Sequence, residues 1–295
     1  TYRESSSGQY LLTLLKLLLI AAFVLTAFAT GSDFSHQVTG ASLLNAGEIL
    51  SGAGAIALIY VTYAYSGWNA ATYILGELEH PKRDLPRALI VGCALVTVLY
   101  VLLNTAFLTS ASISSMTGEV EIAFIVAETV LGESGAFIVS LLLSGVLIST
   151  VSAMIMAGPR ALQRLGQDYR GLAWLGKTNE GGLPTNAIVF MGLVALGFLW
   201  TSTFEQILLF AGLVMAANTF FTVVAVFVSR RRRTDRPHGG SIFTMPWYPL
   251  PALIFLAITG WTVLYTAIQY PVQLLVTAAV IALGYPFFQR IRSVQ

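Results

Sequence analysis

The chain has 295 residues, 56% of them hydrophobic and only 10% charged, with a formal net charge of +2 and a mean hydropathy of +0.76. Soluble domains carry about 25% charged residues, so a single aqueous fold that hides this much apolar surface is excluded. One cysteine, Cys93, leaves no disulfide and no thiolate metal site within the chain.

The apolar residues gather in eight blocks, over residues 10–30, 50–76, 88–109, 135–158, 186–202, 206–228, 248–268 and 271–289. A run of about 18 apolar residues or more with few charges reads as a membrane-spanning helix. Barrel strands would be about 10 residues long with a period of two, and stretches such as Ile138 to Met156 show neither. The expected fold is an all-α polytopic membrane protein, a single membrane domain over residues 1–295. Thr1 to Gln9 is polar, with no apolar run ahead of a small-residue cleavage site, so no signal peptide is visible.

Taken in chain order, the first block carries Lys16, the only Lys or Arg well inside a span. Intramembrane charges cost at least about 2.5 kcal/mol at the centre and are usually functional, whereas a lysine one or two turns deep can also snorkel to the interface. In the second block, Ala53 to Tyr65 has helical composition and is then interrupted by Ser66, Gly67, Trp68 and Asn69. The first half covers about 20 Å at 1.5 Å per residue, which leaves a second half-helix, Ala70 to Leu78, to complete the crossing. Broken helices at the midplane expose carbonyls at one end and N–H groups at the other, suiting the ammonium and carboxylate of a zwitterion. The alternative is a continuous helix with one tolerated glycine and a tryptophan facing its neighbours.

The outer segment Glu119 to Leu131 is too short to cross and is expected to lie at the interface. The fourth block carries Ser144, Ser149, Thr150 and Ser152, hydroxyls that either line a polar seam or bond to their own preceding turn. Asn104 and Asn218 are open to both readings too. All three His and all four Asp lie in loops. That pattern disfavours haem ligation, intramembrane metalloenzymes and aspartyl proteases, so neither catalysis nor a cofactor or bound metal is expected.

Lys and Arg are retained on the cytoplasmic side of membranes. Numbering the loops alternately, 15 of the 16 basic residues fall on one side and none in the loops opposite, which hold Asp33, Glu48, Glu119, Glu121, Glu128, Glu133 and Glu205. Both termini of the chain are thus expected in the cytoplasm, with the bilayer of the cell (inner or plasma) membrane as a partner. The run Arg230 to Arg233, directly behind a span, anchors topology rather than binding nucleic acid.

Three stretches carry a family resemblance. Tyr63 to Gly92, YAYSGWNAATYILGELEHPKRDLPRALIVG, resembles the sixth helix and following loop of the amino acid, polyamine and organocation (APC) superfamily. The shared elements are the aromatic-x-Tyr-x-Gly-Trp-Asn run, Glu77, and then Pro81, Arg83, Leu85, Pro86 and Arg87. The loop also has its own physical sense, since Asp84 can cap the next helix and Pro86 suits its first turn. GPRALQRLGQD at 158–168 is similar to a second family loop, and Leu183-Pro-Thr-Asn-Ala to the start of the ninth helix.

The resemblance implies a partial LeuT-type fold, with the eight spans matching family helices five to twelve and helices one to four of the same permease missing from this chain. It implies a secondary transporter of amino acids, sodium-independent, working by alternating access as a proton-coupled carrier or exchanger. Tyr63 would gate the substrate. The carbonyls of Tyr63, Ala64 and Ser66 would receive its amino group across the break at Gly67, and Trp68 and Asn69 would shape the side-chain pocket. Lys16 would stand where sodium-coupled relatives hold a sodium ion, with Ser149, Thr150 and Ser152 on the matching face of the eighth helix. Alternatives are a polyamine or organic-cation carrier, which favours an acidic pocket, and a non-transporting membrane subunit.

Overall fold

The computed structural model describes residues 2–30, 46–69, 71, 78–232 and 245–292. Every described regular element is helical: α1 (Tyr2–Thr30), α2 (Ala46–Ile49), α3 (Gly52–Ala64), α4 (Pro81–Ser110), α5 (Ile113–Met116), α6 (Ile122–Asp168), α7 (Thr185–Thr201), α8 (Phe204–Arg232), α9 (Leu250–Gln269) and α10 (Pro271–Arg292), with a 3-10 turn at Arg170–Leu172. Five helices are long and apolar enough to cross a membrane, α1 from Tyr10, α4, α6, α8 and α9; three shorter apolar helices are Gly52–Ala64, Thr185–Thr201 and Pro271–Pro286. Each of these falls on one of the eight apolar blocks. The protein is a polytopic α-helical membrane protein.

Helix ends follow local chemistry. Ser51 caps α3, its hydroxyl accepting the Gly54 N–H at 3.4 Å. Thr203 and Gln206 form a reciprocal box ahead of α8: the Gln206 N–H reaches the Thr203 hydroxyl at 3.3 Å and the Thr203 N–H reaches Gln206 Oε1 at 3.1 Å. At α4 the expected cap is corrected. The helix opens at Pro81, where a missing N–H is harmless, and His80 O takes the N–H groups of Arg83 and Asp84 at 3.1 and 2.9 Å. Asp84 instead accepts from Arg83 Nε at 2.7 Å, and Pro86 lies inside the helix rather than in its first turn. Along α6, Gly132 adopts φ 73°, ψ 178°, a conformation closed to L side chains. It puts a kink in α6 between Leu131 and Glu133.

The chain divides into two compact units. The first takes in α1, α4 from Ile90 onward and α6 as far as Ala157. Here Val24, Ala27 and Ala106 are buried together with Ile20 and Leu103 against them. Phe23 meets Phe107 edge-on at 6.0 Å, and the Ser110 hydroxyl donates to Ala27 O at 3.4 Å. Lipid is as apolar as leucine, so helices associate through close packing and hydrogen bonds, and the two alanines permit both.

The second unit contains α3, the start of α4, the end of α6 and α7 to α10. Its centre is α3, α8 and α9: Ile59, Leu209, Leu213 and Ala216 are buried, with Ile56, Tyr60, Val263 and Tyr270 around them. Gly212 makes this possible, because a Cβ there would sit 2.6 Å from Ile59 Cγ2. Thr259, Thr262 and Thr266 on α9 are also buried. Near the end of α6, Gly166 and Gly176 bring two backbones together; a Cβ on Gly166 would lie 2.3 Å from Gly176 N. Asn186 Nδ2 donates to Trp174 O at 2.8 Å and Trp174 stacks edge-on against Phe190 at 5.7 Å, fixing the turn that leads into α7.

Candidate functional site

The interruption expected in the second block is present. Helix α3 stops at Ala64 after 13 residues, about 20 Å of rise against the roughly 30 Å of a hydrocarbon core. Residues 65–69 form a turn. Tyr65, with φ −86° and ψ 4°, sends its N–H to Val61 O, the Ser66 N–H goes to Tyr63 O at 2.9 Å, and Gly67 has φ 101°. The residue that needs glycine is therefore Gly67. Ser66 keeps a negative φ, so this serine imposes no backbone strain. Trp68 O accepts the Ala71 N–H at 3.3 Å.

The side chains of the turn are accessible, Tyr63 at 37% and Trp68 at 43%, while Ser66, Gly67 and Asn69 are partly buried. Tyr63 O already receives the Ser66 N–H, whereas no described residue donates to Ser66 O. Most of the second half-helix, residues 70 and 72–77 with Glu77 among them, lies outside the described residues.

In the first unit the structure brings Lys16 and Thr150 together. Lys16 Nζ donates to Thr150 Oγ1 at 3.2 Å, and the Thr150 hydroxyl donates its own proton to Val146 O at 3.0 Å. The threonine proton is thus committed to the backbone, and its lone pair faces the ammonium. Ser149 is one position away, about 100° round the helix. It is buried, its hydroxyl has no partner, and it does not meet Lys16. Ser152 is exposed. Of the three hydroxyls grouped with Lys16, only Thr150 touches it.

Two features of the second unit went unread in the sequence. Tyr60 on α3 faces the Glu205 carboxylate at the start of α8, bringing together residues that no local pattern links. Gly212 gave no signal beyond its small size. The Thr203-x-x-Gln206 box, by contrast, was available from spacing alone.

With the broken helix and the lysine contact in view, comparison with known proteins is decisive for the family. The profile described as amino acid permease matches residues 2–287. The chain belongs to the amino acid permease family. The APC resemblance seen in the three stretches is thereby borne out. The human b(0,+)-type amino acid transporter 1 is 27% identical over 233 residues, 77% of this chain and 46% of the relative. The rabbit large neutral amino acids transporter small subunit 2 is 28% identical over 240 residues, 79% of this chain and 43% of the relative. A Caenorhabditis elegans protein named amino acid transporter protein 6 is 25% identical over 209 residues, 70% and 39% of the two chains. The permease chain thus spans about half the length of the curated relatives it matches.

Proposed function

We propose that this permease carries amino acids across the cell membrane by alternating access, independently of sodium and with both termini of the chain in the cytoplasm. The observation that carries the reading is the end of α3 at Ala64 and the turn over residues 65–69, with Gly67 at φ 101°. A turn of this kind inside a span is tolerated only where it lines a cavity or is buried in protein, and its carbonyls form a receptor for an ammonium group. Tyr63, Ala64 and Ser66 supply those carbonyls. Trp68 and Asn69 bound the side-chain pocket, and Tyr63 closes over it. The amino-acid substrates named for the relatives support the same substrate class.

Sodium independence rests on Lys16. Its ammonium, 3.2 Å from Thr150 Oγ1, supplies a fixed positive charge beside a hydroxyl that would otherwise be available to a cation. Proton coupling, or exchange of one amino acid for another, then replaces a sodium gradient as the driving arrangement. The one-sided basic loops support the cytoplasmic assignment.

The test is transport by the full-length protein in liposomes. Counterflow of labelled amino acids, unaffected by replacing sodium with choline, is the expected outcome. Absence of uptake across a broad amino-acid panel, under counterflow and under an imposed proton gradient, would overturn the reading.

A further inference from the structure

The inner end of the second unit carries an arrangement that transport does not use. Helix α8 ends in a basic run, and Arg230 within it stacks its guanidinium 4.0 Å from the centroid of the Tyr248 ring, which itself lies 5.5 Å from Phe227. Among the described residues no carboxylate pairs with Arg230. The residue before Tyr248 faces outwards: Trp247 is 84% exposed and held at φ 56°, a left-handed conformation that L side chains rarely adopt. Its carbonyl accepts the Leu250 N–H at 2.9 Å, so the strained residue is part of the turn that starts α9.

Three kinds of attraction for a phosphate meet here. A planar guanidinium offers several N–H donors suited to phosphate oxygens. The 20-residue helix α9 begins at this turn, and helix N-termini are positive. An exposed indole sits at headgroup depth when it borders a bilayer.

The chemistry below the turn selects the bearer of that phosphate. Leu250, Leu253, Ile254 and Ile258 are all about half exposed and recur at i, i+3, i+4 and i+8, one stripe of α9 leading away from the turn. A water-soluble acidic peptide has nothing to place there, whereas an acyl chain does. At the opposite end of the unit Trp200 is 86% and Phe204 62% exposed, a second aromatic border of the kind that flanks a hydrocarbon layer.

We propose that the α8–α9 turn is a binding site for an anionic phospholipid, whose phosphate is held by Arg230 against Tyr248 and Trp247 while one acyl chain lies along Leu250, Leu253 and Ile254. The site does not depend on what the permease transports, and it orders one lipid at a fixed place on the inner leaflet.

Native mass spectrometry of the full-length protein, titrated with phosphatidylglycerol or with phosphatidylcholine of the same chains, tests this. The wild type is expected to retain phosphatidylglycerol about fivefold better, the value of one basic side chain near a surface. Arg230→Gln should erase the preference and Trp247→Ala should reduce it, whereas Lys177→Gln, in another basic loop, should keep it. Inorganic phosphate at matched ionic strength should not displace the lipid. Equal retention of the two lipids by the wild type, or an intact preference in Arg230→Gln, would overturn the proposal. A photoactivatable phosphatidylglycerol supplies a measurement on the unaltered protein: crosslinks concentrated over residues 247–258 support the site, and crosslinks elsewhere on the chain refute it.

Discussion

The two units hold their candidate functional groups by different means. In the second unit the interrupted helix α3 is set by shape: Gly212 lets Ile59 into contact with α8, and Gly67 supplies the left-handed backbone at the break. In the first unit Lys16 is held by polarity, through one hydrogen bond to a threonine whose proton is already committed. Shape in a packed interior is unforgiving, since a single added methyl must be accommodated by its neighbours. A hydrogen bond on a long flexible side chain is easily remade. The lesson is that volume changes should break the one region and charge changes the other.

The largest effect is expected at Gly67. Gly67→Val forces a β-branched side chain into φ 101°, at a cost on the order of 1–3 kcal/mol. Transport should fall at least about tenfold, the equivalent of 1.4 kcal/mol, while circular dichroism of the purified protein stays helical. Wild-type transport by Gly67→Val would remove the break from the mechanism.

Gly212→Ala comes next. Its Cβ would meet Ile59 Cγ2 at 2.6 Å, and overpacking of this kind costs about 1–3 kcal/mol. The melting temperature in detergent should drop, and adding Ile59→Ala, which deletes that methyl, should restore part of the loss. Additive losses in the double variant would show that the two residues do not share a contact.

Lys16→Gln removes the charge and leaves a side chain able to donate to Thr150. Transport is expected to lose its dependence on pH with little change in melting temperature, and an unchanged pH profile would end the coupling role. Thr150→Val should shift the same profile in the same sense, whereas Thr150→Ser should restore it, because only the oxygen is used.

Smaller still is Tyr60→Phe, which removes the hydroxyl that faces Glu205 and should cost at most about 0.5–1.5 kcal/mol of stability, read by thermal melt. The smallest change is expected from Ser66→Gly. Because Ser66 has no positive φ to relieve, transport and stability should remain near wild type, and a clear gain would mean that the serine strains the turn after all.

The apolar helices and the break in the second block were legible in the residue order. Each depends on a local property: apolar length, or a Ser-Gly-Trp-Asn interruption. The start of α4 was misread because Asp84 and Pro86 are both plausible near a helix start. The competing choice, Pro81 with His80 O receiving the first N–H groups, differs only by one turn. The contact between Lys16 and α6 was half legible. Lys16 stood out as a charge among apolar residues, but three hydroxyls on α6 were equally eligible partners, and sequence gives no rotation of one helix against another.

The sequence by itself determined that this is a multi-pass helical membrane protein of the permease family. Hydrophobic length and short loop-and-helix motifs are properties of neighbouring residues and survive without knowledge of the fold. Tertiary structure alone decided that Lys16 meets Thr150, 134 positions away, that Ser149 and Ser152 do not take that place, that Gly212 is a seat for Ile59, and that Tyr60 reaches Glu205. Those contacts join segments distant in the chain, and the packing of helices within each unit, rather than any spacing along the sequence, selects them.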